Sequence, residues 1–306
     1  MVVDRFGRPV TSVRISLTQR CNLACIYCHR EGEQAAHEEM TVEEISRIVE
    51  AAASLGISKV KLTGGEPLLR EDILDIVSAI SSTPGVEEVS MTTNGVLLKD
   101  MAWKLREAGL KRVNVGLCSL REDTYKRICG RGSPDVVLEG VKAAVEAGLN
   151  PVKVNMVVLK GLNEDEVWEM FRFTSSLGVI LQIIELEYVP GSVDRDVYER
   201  LHADLTPVEK LLSDRALRVF VRGDMHNRRR YVLPDGEVEV VKPMHNREFC
   251  MHCRRIRVTS DGKLKPCLMR NDNLVDLLRP LRSGAGLEEL RRLFKKAILL
   301  REPYFR

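Results

Sequence analysis

Apolar runs of strand length alternate with amphipathic stretches along the chain. Strands are expected at 12–18, 57–62, 88–93, 112–118, 151–158 and 179–186, each rich in β-branched residues and followed by a loop or helix start. Between them, helical periodicity marks 41–55, 71–82, 98–109, 134–148 and 163–177. The helix limits carry their own signals. Thr41 with Glu44 reads as a capping box, Pro134 suits a first turn, and Gly56, Gly109, Gly148 and Gly178 follow their helices as C-terminal caps do. Six β–α units in a row imply a parallel sheet, either doubly wound or curled into a full or partial barrel. After about residue 220 the pattern changes. Strand-like pieces at 229–233 and 237–241 flank a Pro234-Asp235-Gly236 turn, arginines and cysteines follow, and a last helix is expected near 286–300. The chain thus reads as a main α/β unit over 1–220 and an appended region over 221–306.

Side chains alternate faces along a strand. One face carries Val13, Ile15, Leu17, Val60, Leu62, Val113, Val115, Leu117, Val152, Val154 and Met156. The other carries Arg14, Ser16, Lys59, Lys61, Asn114, Gly116, Lys153 and Asn155. A closed barrel fills its interior with Val, Ile and Leu. Here one face of four strands is polar or small, and burying an unpaired cation costs several kcal/mol. A sheet with one solvated face fits this pattern. So does an open barrel whose lumen binds a polyanion such as a nucleoside triphosphate, and parallel sheets are normally covered on both faces.

Composition removes several classes. The 306 residues include 47 Lys+Arg and 44 Asp+Glu, a formal charge of +3, with 44% apolar and 30% charged residues. That is ordinary for a folded domain and unlike a disordered one. No apolar run approaches the 18 or so residues of a membrane span. Met1 to Pro9 carries charges where a signal peptide needs an apolar stretch, so a reducing cytoplasm is expected. Eight cysteines in that setting point to metal or catalysis rather than to disulfides.

Six of the eight fall into two groups. Cys21, Cys25 and Cys28 form C-x3-C-x2-C directly after the first strand, where α/β sheets place their active loops. Zinc would normally need a fourth protein ligand, whereas a four-iron cluster held by three cysteines keeps one iron open. Cys250, Cys253 and Cys267 form C-x2-C-x13-C. This group fits a zinc site completed by His252 or His245, or a second three-cysteine iron–sulfur cluster. Arg255 and Arg257, at strand spacing between these cysteines, offer two guanidiniums suited to phosphate. The second strand runs into Thr63-Gly64-Gly65-Glu66-Pro67, a glycine turn with its backbone groups exposed.

The first cysteine spacing, with Tyr27 just before the last cysteine, together with Gly64-Gly65-Glu66-Pro67, resembles the radical S-adenosylmethionine (SAM) enzymes. That resemblance implies a partial (βα)6 TIM-like barrel followed by a C-terminal α+β region carrying a second iron–sulfur cluster. With the second cysteine group, the chain is similar from about residue 10 to 270 to the GTP 3′,8-cyclase family of molybdenum cofactor biosynthesis. By that resemblance Cys21, Cys25 and Cys28 hold a 4Fe–4S cluster that binds SAM, and Tyr27, Gly65 and Gly116 line SAM. Arg14, Lys61, Thr92, Lys153, Arg255 and Arg257 contact GTP, and Cys250, Cys253 and Cys267 hold a second 4Fe–4S cluster at the substrate. Its implied partners are GTP, an external electron donor and a downstream cyclic pyranopterin monophosphate synthase, with a homodimer possible and no membrane or nucleic acid expected. Some positions depart from the family pattern. Lys61 stands where Arg is common, Gly116 where Ser is, Cys118 where Asp is, Gln182 where Arg is and Glu187 where Met is. The last two roles are not carried over. The sequence closes on Pro303-Tyr304-Phe305-Arg306, where Gly-Gly is common. The rival expectations are another radical SAM enzyme with an auxiliary cluster, such as a peptide maturase, and a zinc-stabilised nucleic-acid-binding protein.

Other positions read as structural. Cys118 and Cys129 are expected as buried thiols, Arg228-Arg229-Arg230 as a solvated basic face, His37 as surface, and Trp103 and Trp168 on helix core faces. Asn94-Gly95 follows a strand and is expected to shape a loop near Thr92.

Overall fold

The computed structural model describes residues 2–33 and 38–305, so His37 lies outside the described residues. Twelve strands form one sheet: β1 (Ser12–Ser16), β2 (Lys59–Thr63), β3 (Glu88–Thr93), β4 (Arg112–Gly116), β5 (Lys153–Val158), β6 (Ile180–Glu185), β7 (Arg218–Arg222), β8 (Arg228–Leu233), β9 (Gly236–Val241), β10 (Arg255–Val258), β11 (Lys263–Lys265) and β12 (Val275–Asp276). Their spatial order is β12-β11-β10-β1-β2-β3-β4-β5-β6-β9-β8-β7. The run from β10 through β1–β6 to β9 is parallel throughout, and the outer strands are antiparallel. The end strands β12 and β7 do not pair, so the barrel is partial and open.

The expected alternation of strands and helices is present. Helices α1 (Val42–Ser54), α2 (Ile73–Ser81), α3 (Leu98–Glu107), α4 (Glu122–Cys129), α5 (Pro134–Glu146) and α6 (Val167–Ser176) lie between the strands, and the C-terminal helix Leu287–Leu299 packs on α1. Thr41 and Glu44 close the capping box, worth about 1 kcal/mol. The four glycines expected after helices all have positive φ. The apolar strand face is sealed under these helices: Val13, Ile15, Val60, Leu62, Val113, Val115, Val154 and Met156 are 0% exposed. Each such side chain contributes about 1.5–3 kcal/mol of burial.

Three local expectations change. Helix α4 is an addition, lying between β4 and α5. Trp103 is 56% exposed, because α3 turns Leu98, Ala102 and Leu105 inward and Trp103 falls off that stripe. The Arg228–Arg230 run is not a solvated face. It forms part of β8, whose pleat exposes Arg229 and sends Arg228 and Arg230 to the inner side.

A lumen of cations between two cysteine triads

The inner face of the sheet encloses a cavity of about 600 Å³. Arg14, Lys61, Thr92, Lys153, Arg255 and Arg257, and also Tyr27, Gly65, Gly116 and Cys28, all line it. Strand register explains the convergence: Arg257 lies beside Arg14, Arg14 beside Lys61, and Asn114 beside Lys153.

Burial lowers the pKa of Lys61 well below the lysine range, and Arg112, Arg14, Arg255 and Lys153 push it further down. Arg255 is depressed by burial and then by Arg14 and Arg257. A buried Arg14 Nε has no partner among the described residues. Such a site holds more positive charge than the protein itself neutralises, which suits a polyanion.

Part of that charge is met by polar neighbours, and part is balanced by two acids the sequence reading does not name, Glu239 and Glu31. Lys61 Nζ donates to Asn114 Oδ1 at 2.7 Å, and Asn114 Nδ2 donates to Asn155 Oδ1 and Gln182 Oε1 at 3.1 and 3.0 Å. Gln182 Nε2 donates in turn to Glu239. Glu239, 1% exposed, also receives Lys153 Nζ at 2.7 Å, Arg222 Nη1 at 2.9 Å and Arg230 Nη2 at 2.7 Å. Burial opposes its ionisation, but Lys153 and the arginines hold the carboxyl far below the usual range. Glu31 plays a similar part for Arg14 and Arg257.

The first cysteine loop is fixed from two sides. On one, Ala24 N donates to Cys129 O at 2.9 Å and Ile26 N to Ile128 O at 3.0 Å, docking the loop on the end of α4. On the other, Gly65 N donates to Thr18 O at 2.7 Å and Glu66 N to Arg20 O at 2.8 Å. A Cβ on Gly65 would lie 2.3 Å from Arg20 O, so this glycine is required by backbone against backbone. Asn94 Nδ2 reaches Asn22 Oδ1 at 2.6 Å and Cys21 Sγ at 3.8 Å, placing the Asn94-Gly95 loop beside the triad. Cys118 and Cys129 are buried, with sulfurs 3.4 Å apart. A hydrogen bond to Cys129, then burial, raises the Cys25 thiol.

Cys250, Cys253 and Cys267 line a smaller cavity of about 90 Å³. It shares Glu187, Phe249, Arg255, Arg257 and Leu268 with the lumen, so the two cavities adjoin across these side chains. His252 bonds the backbone of Glu248 at 2.9 Å and His245 packs on Phe305; neither lines this cavity. His226 does. It stacks on Phe249 at 4.3 Å, its buried Nδ1 has no partner among the described residues, and burial beside Arg255 and Arg228 keeps the ring neutral. Among the described residues, no three His, Cys, Asp or Glu converge on a single-ion site. The three thiols of each triad suit a four-iron cluster that keeps one iron open.

Comparison with known proteins agrees. Residues 15–174 match the model of the radical SAM superfamily, and residues 179–306 match Molybdenum Cofactor Synthesis C. A probable GTP 3′,8-cyclase of Methanothermobacter marburgensis is 51% identical over 304 residues, 99% of each chain. That of Thermococcus kodakarensis is 51% identical over 311 residues, 100% of each. Among solved structures, Streptococcus suis SuiB bound to S-adenosylmethionine superposes with a TM-score of 0.65 at 18% identity, covering 92% of this chain and 68% of that one. A histidine-tagged anSMEcpe with bound AdoMet gives 0.63 at 17%, covering 94% and 79%. These likenesses concern the fold. The chain belongs to the radical SAM superfamily and, within it, to the family of these probable GTP 3′,8-cyclases.

Proposed function

We propose that this protein converts GTP to (8S)-3′,8-cyclo-7,8-dihydroguanosine 5′-triphosphate, the first step of molybdenum cofactor biosynthesis. The observation that carries the reading is the surplus of buried cations between two cysteine triads. Full-length relatives named for the same reaction support it. Its cofactors are two 4Fe–4S clusters and SAM. The donor sets fit: Cys21, Cys25 and Cys28 would hold one cluster, and Cys250, Cys253 and Cys267 the other. When bound, the first cluster with SAM supplies one-electron chemistry able to take a hydrogen atom from unactivated carbon.

The chain's own part is position and charge. Arg14, Lys61, Lys153, Arg255 and Arg257 would hold the triphosphate, with Thr92 beside them. The ribose 3′ carbon and guanine C8 are thereby kept within reach of one another, and orientation of that kind replaces a large entropic cost. Tyr27, Gly65 and Gly116 would line SAM. Closing the site to bulk water keeps these charges strong. Residues 221–306 would cover the mouth of a barrel built by 1–220. An external one-electron donor in the cytoplasm and an enzyme that consumes the cyclised nucleotide would complete the sequence.

Anaerobic incubation of the reconstituted enzyme with SAM, dithionite and GTP tests the reading. 5′-Deoxyadenosine should form in step with GTP loss, and its absence rejects the assignment. Metal analysis adds an independent check. About eight irons per chain are expected, and zinc without iron would reject both clusters.

A further inference from the structure

Glu31 is an acidic side chain inside a cationic lumen, three positions after Cys28. One carboxylate oxygen lies 3.3 Å from Arg14 Nη1 and the other accepts from Arg257 Nη1. Those arginines are direct partners across β1 and β10, so without an anion between them two guanidiniums would stand side by side. The three side chains are only 19%, 12% and 11% exposed for Arg14, Glu31 and Arg257. Burial alone would raise the carboxyl, yet Arg14, Arg257, His29 and Arg255 hold it at about 2.

The backbone beneath it is unusual. Arg30, Glu31 and Gly32 have φ of 47°, 52° and 65° in succession. A left-handed non-glycine residue is strained and persists only where its surroundings hold it. Here the hold comes after the glutamate. Lys265 Nζ donates to Gly32 O at 3.0 Å, and a Cβ on Gly32 would lie 2.6 Å from Leu268 O. The turn is thus anchored to the segment around Cys267 while it presents a carboxylate to the lumen.

We propose that Glu31 is a built-in counter-ion that occupies, in the substrate-free protein, the place a phosphate group of the substrate takes on Arg14 and Arg257. A phosphate offers these guanidiniums more oxygens and more charge than one carboxylate. The incoming polyphosphate displaces Glu31, and the strained turn relaxes with it. The carboxylate keeps the two arginines apart and extended until then, and it sets a threshold that weakly charged ligands do not pass. This inference rests on the GTP reading for the identity of the ligand, not for the presence of the counter-ion.

Titration calorimetry on the anaerobic, cluster-loaded enzyme tests it, with GTP and inorganic tripolyphosphate as separate probes. Glu31→Gln should bind both roughly tenfold more tightly, since a charged competitor is gone, while SAM affinity stays the same. Glu31→Asp, which keeps the charge but shortens the reach, should fall between the two. Weaker or unchanged polyphosphate binding by Glu31→Gln overturns the inference, as does equal tightening for SAM. If Glu31→Gln does not fold, Glu31→Asp decides by the same signs. Wild type that binds tripolyphosphate but not GTP overturns the GTP reading and leaves the counter-ion to be judged by tripolyphosphate alone. Wild type that binds neither overturns both.

Discussion

Glu66 ties together the two loops that flank the first cysteine triad. It is 0% exposed and accepts from Leu68 N at 3.0 Å, Thr93 Oγ1 at 2.7 Å and Asn94 N at 2.6 Å. Burial outweighs these bonds and lifts its pKa to about 7. The folded protein therefore retains a proton that the unfolded chain, near the ordinary value of 4.5, has released. Stability should fall as pH rises from about 4.5 to about 7 and level off above, a change of up to about 3 kcal/mol. Thermal unfolding of the apoprotein across that range should show the slope, and Glu66→Gln should flatten it. A residue such as Arg14 or Lys153 is legible without a structure, because strand parity puts it on the polar face. Glu31 and Glu239 are not. Each looks like an ordinary surface acid until the fold sets it against cations distant in sequence, Glu31 against Arg257 and Glu239 against Lys153.

At the scale of elements, β-branched runs and helix caps disclosed the β–α units, since each strand buries one complete face. Helix α4 is not legible in the sequence, because its eight residues turn only Tyr125, Ile128 and Cys129 inward, too few for a periodic signal. Yet α4 is one of the two supports of the first cysteine loop, and the Gly64-Gly65 turn is the other. Gly65→Ala would push a methyl group into the Arg20 carbonyl and shift that loop while leaving the second triad alone. Iron per chain should fall by about half, from roughly eight to roughly four, and electron paramagnetic resonance should retain one cluster signal. Full iron loading in this variant would show that the loop tolerates the displacement.

For the whole molecule, the formal charge of +3 conceals an uneven distribution. The lumen gathers cations, and the buried Glu239 joins Lys153, Arg222 and Arg230, with Asp224 and Glu237 beside the two arginines at their outer ends. Removing a buried partner of that kind costs about 3–5 kcal/mol, or roughly 5–8 °C in a chain of this length. Glu239→Gln should lower the melting temperature by that amount, and tripolyphosphate at one hundred times its Kd should restore about 4 °C. An unchanged melting temperature would mean that the cations relax without it. The class of the fold was readable from alternation and element order. The placement of the last strands was not, because strand parity does not state which edge a strand joins.

That placement has a consequence for biosynthesis. β9 adds to β6 and β10 adds to β1, so residues 242–254 pass from one edge of the six-strand arc to the other and bring Cys250 and Cys253 with them. A ribosome releases β1–β6 first. During translation, the nascent chain therefore displays Cys21, Cys25 and Cys28 on an unbridged half-barrel before the crossing segment exists. On the proposed assignment of the clusters to the two triads, delivery would have two distinct moments available, an early one to an open cradle and a late one that coincides with completion of the fold.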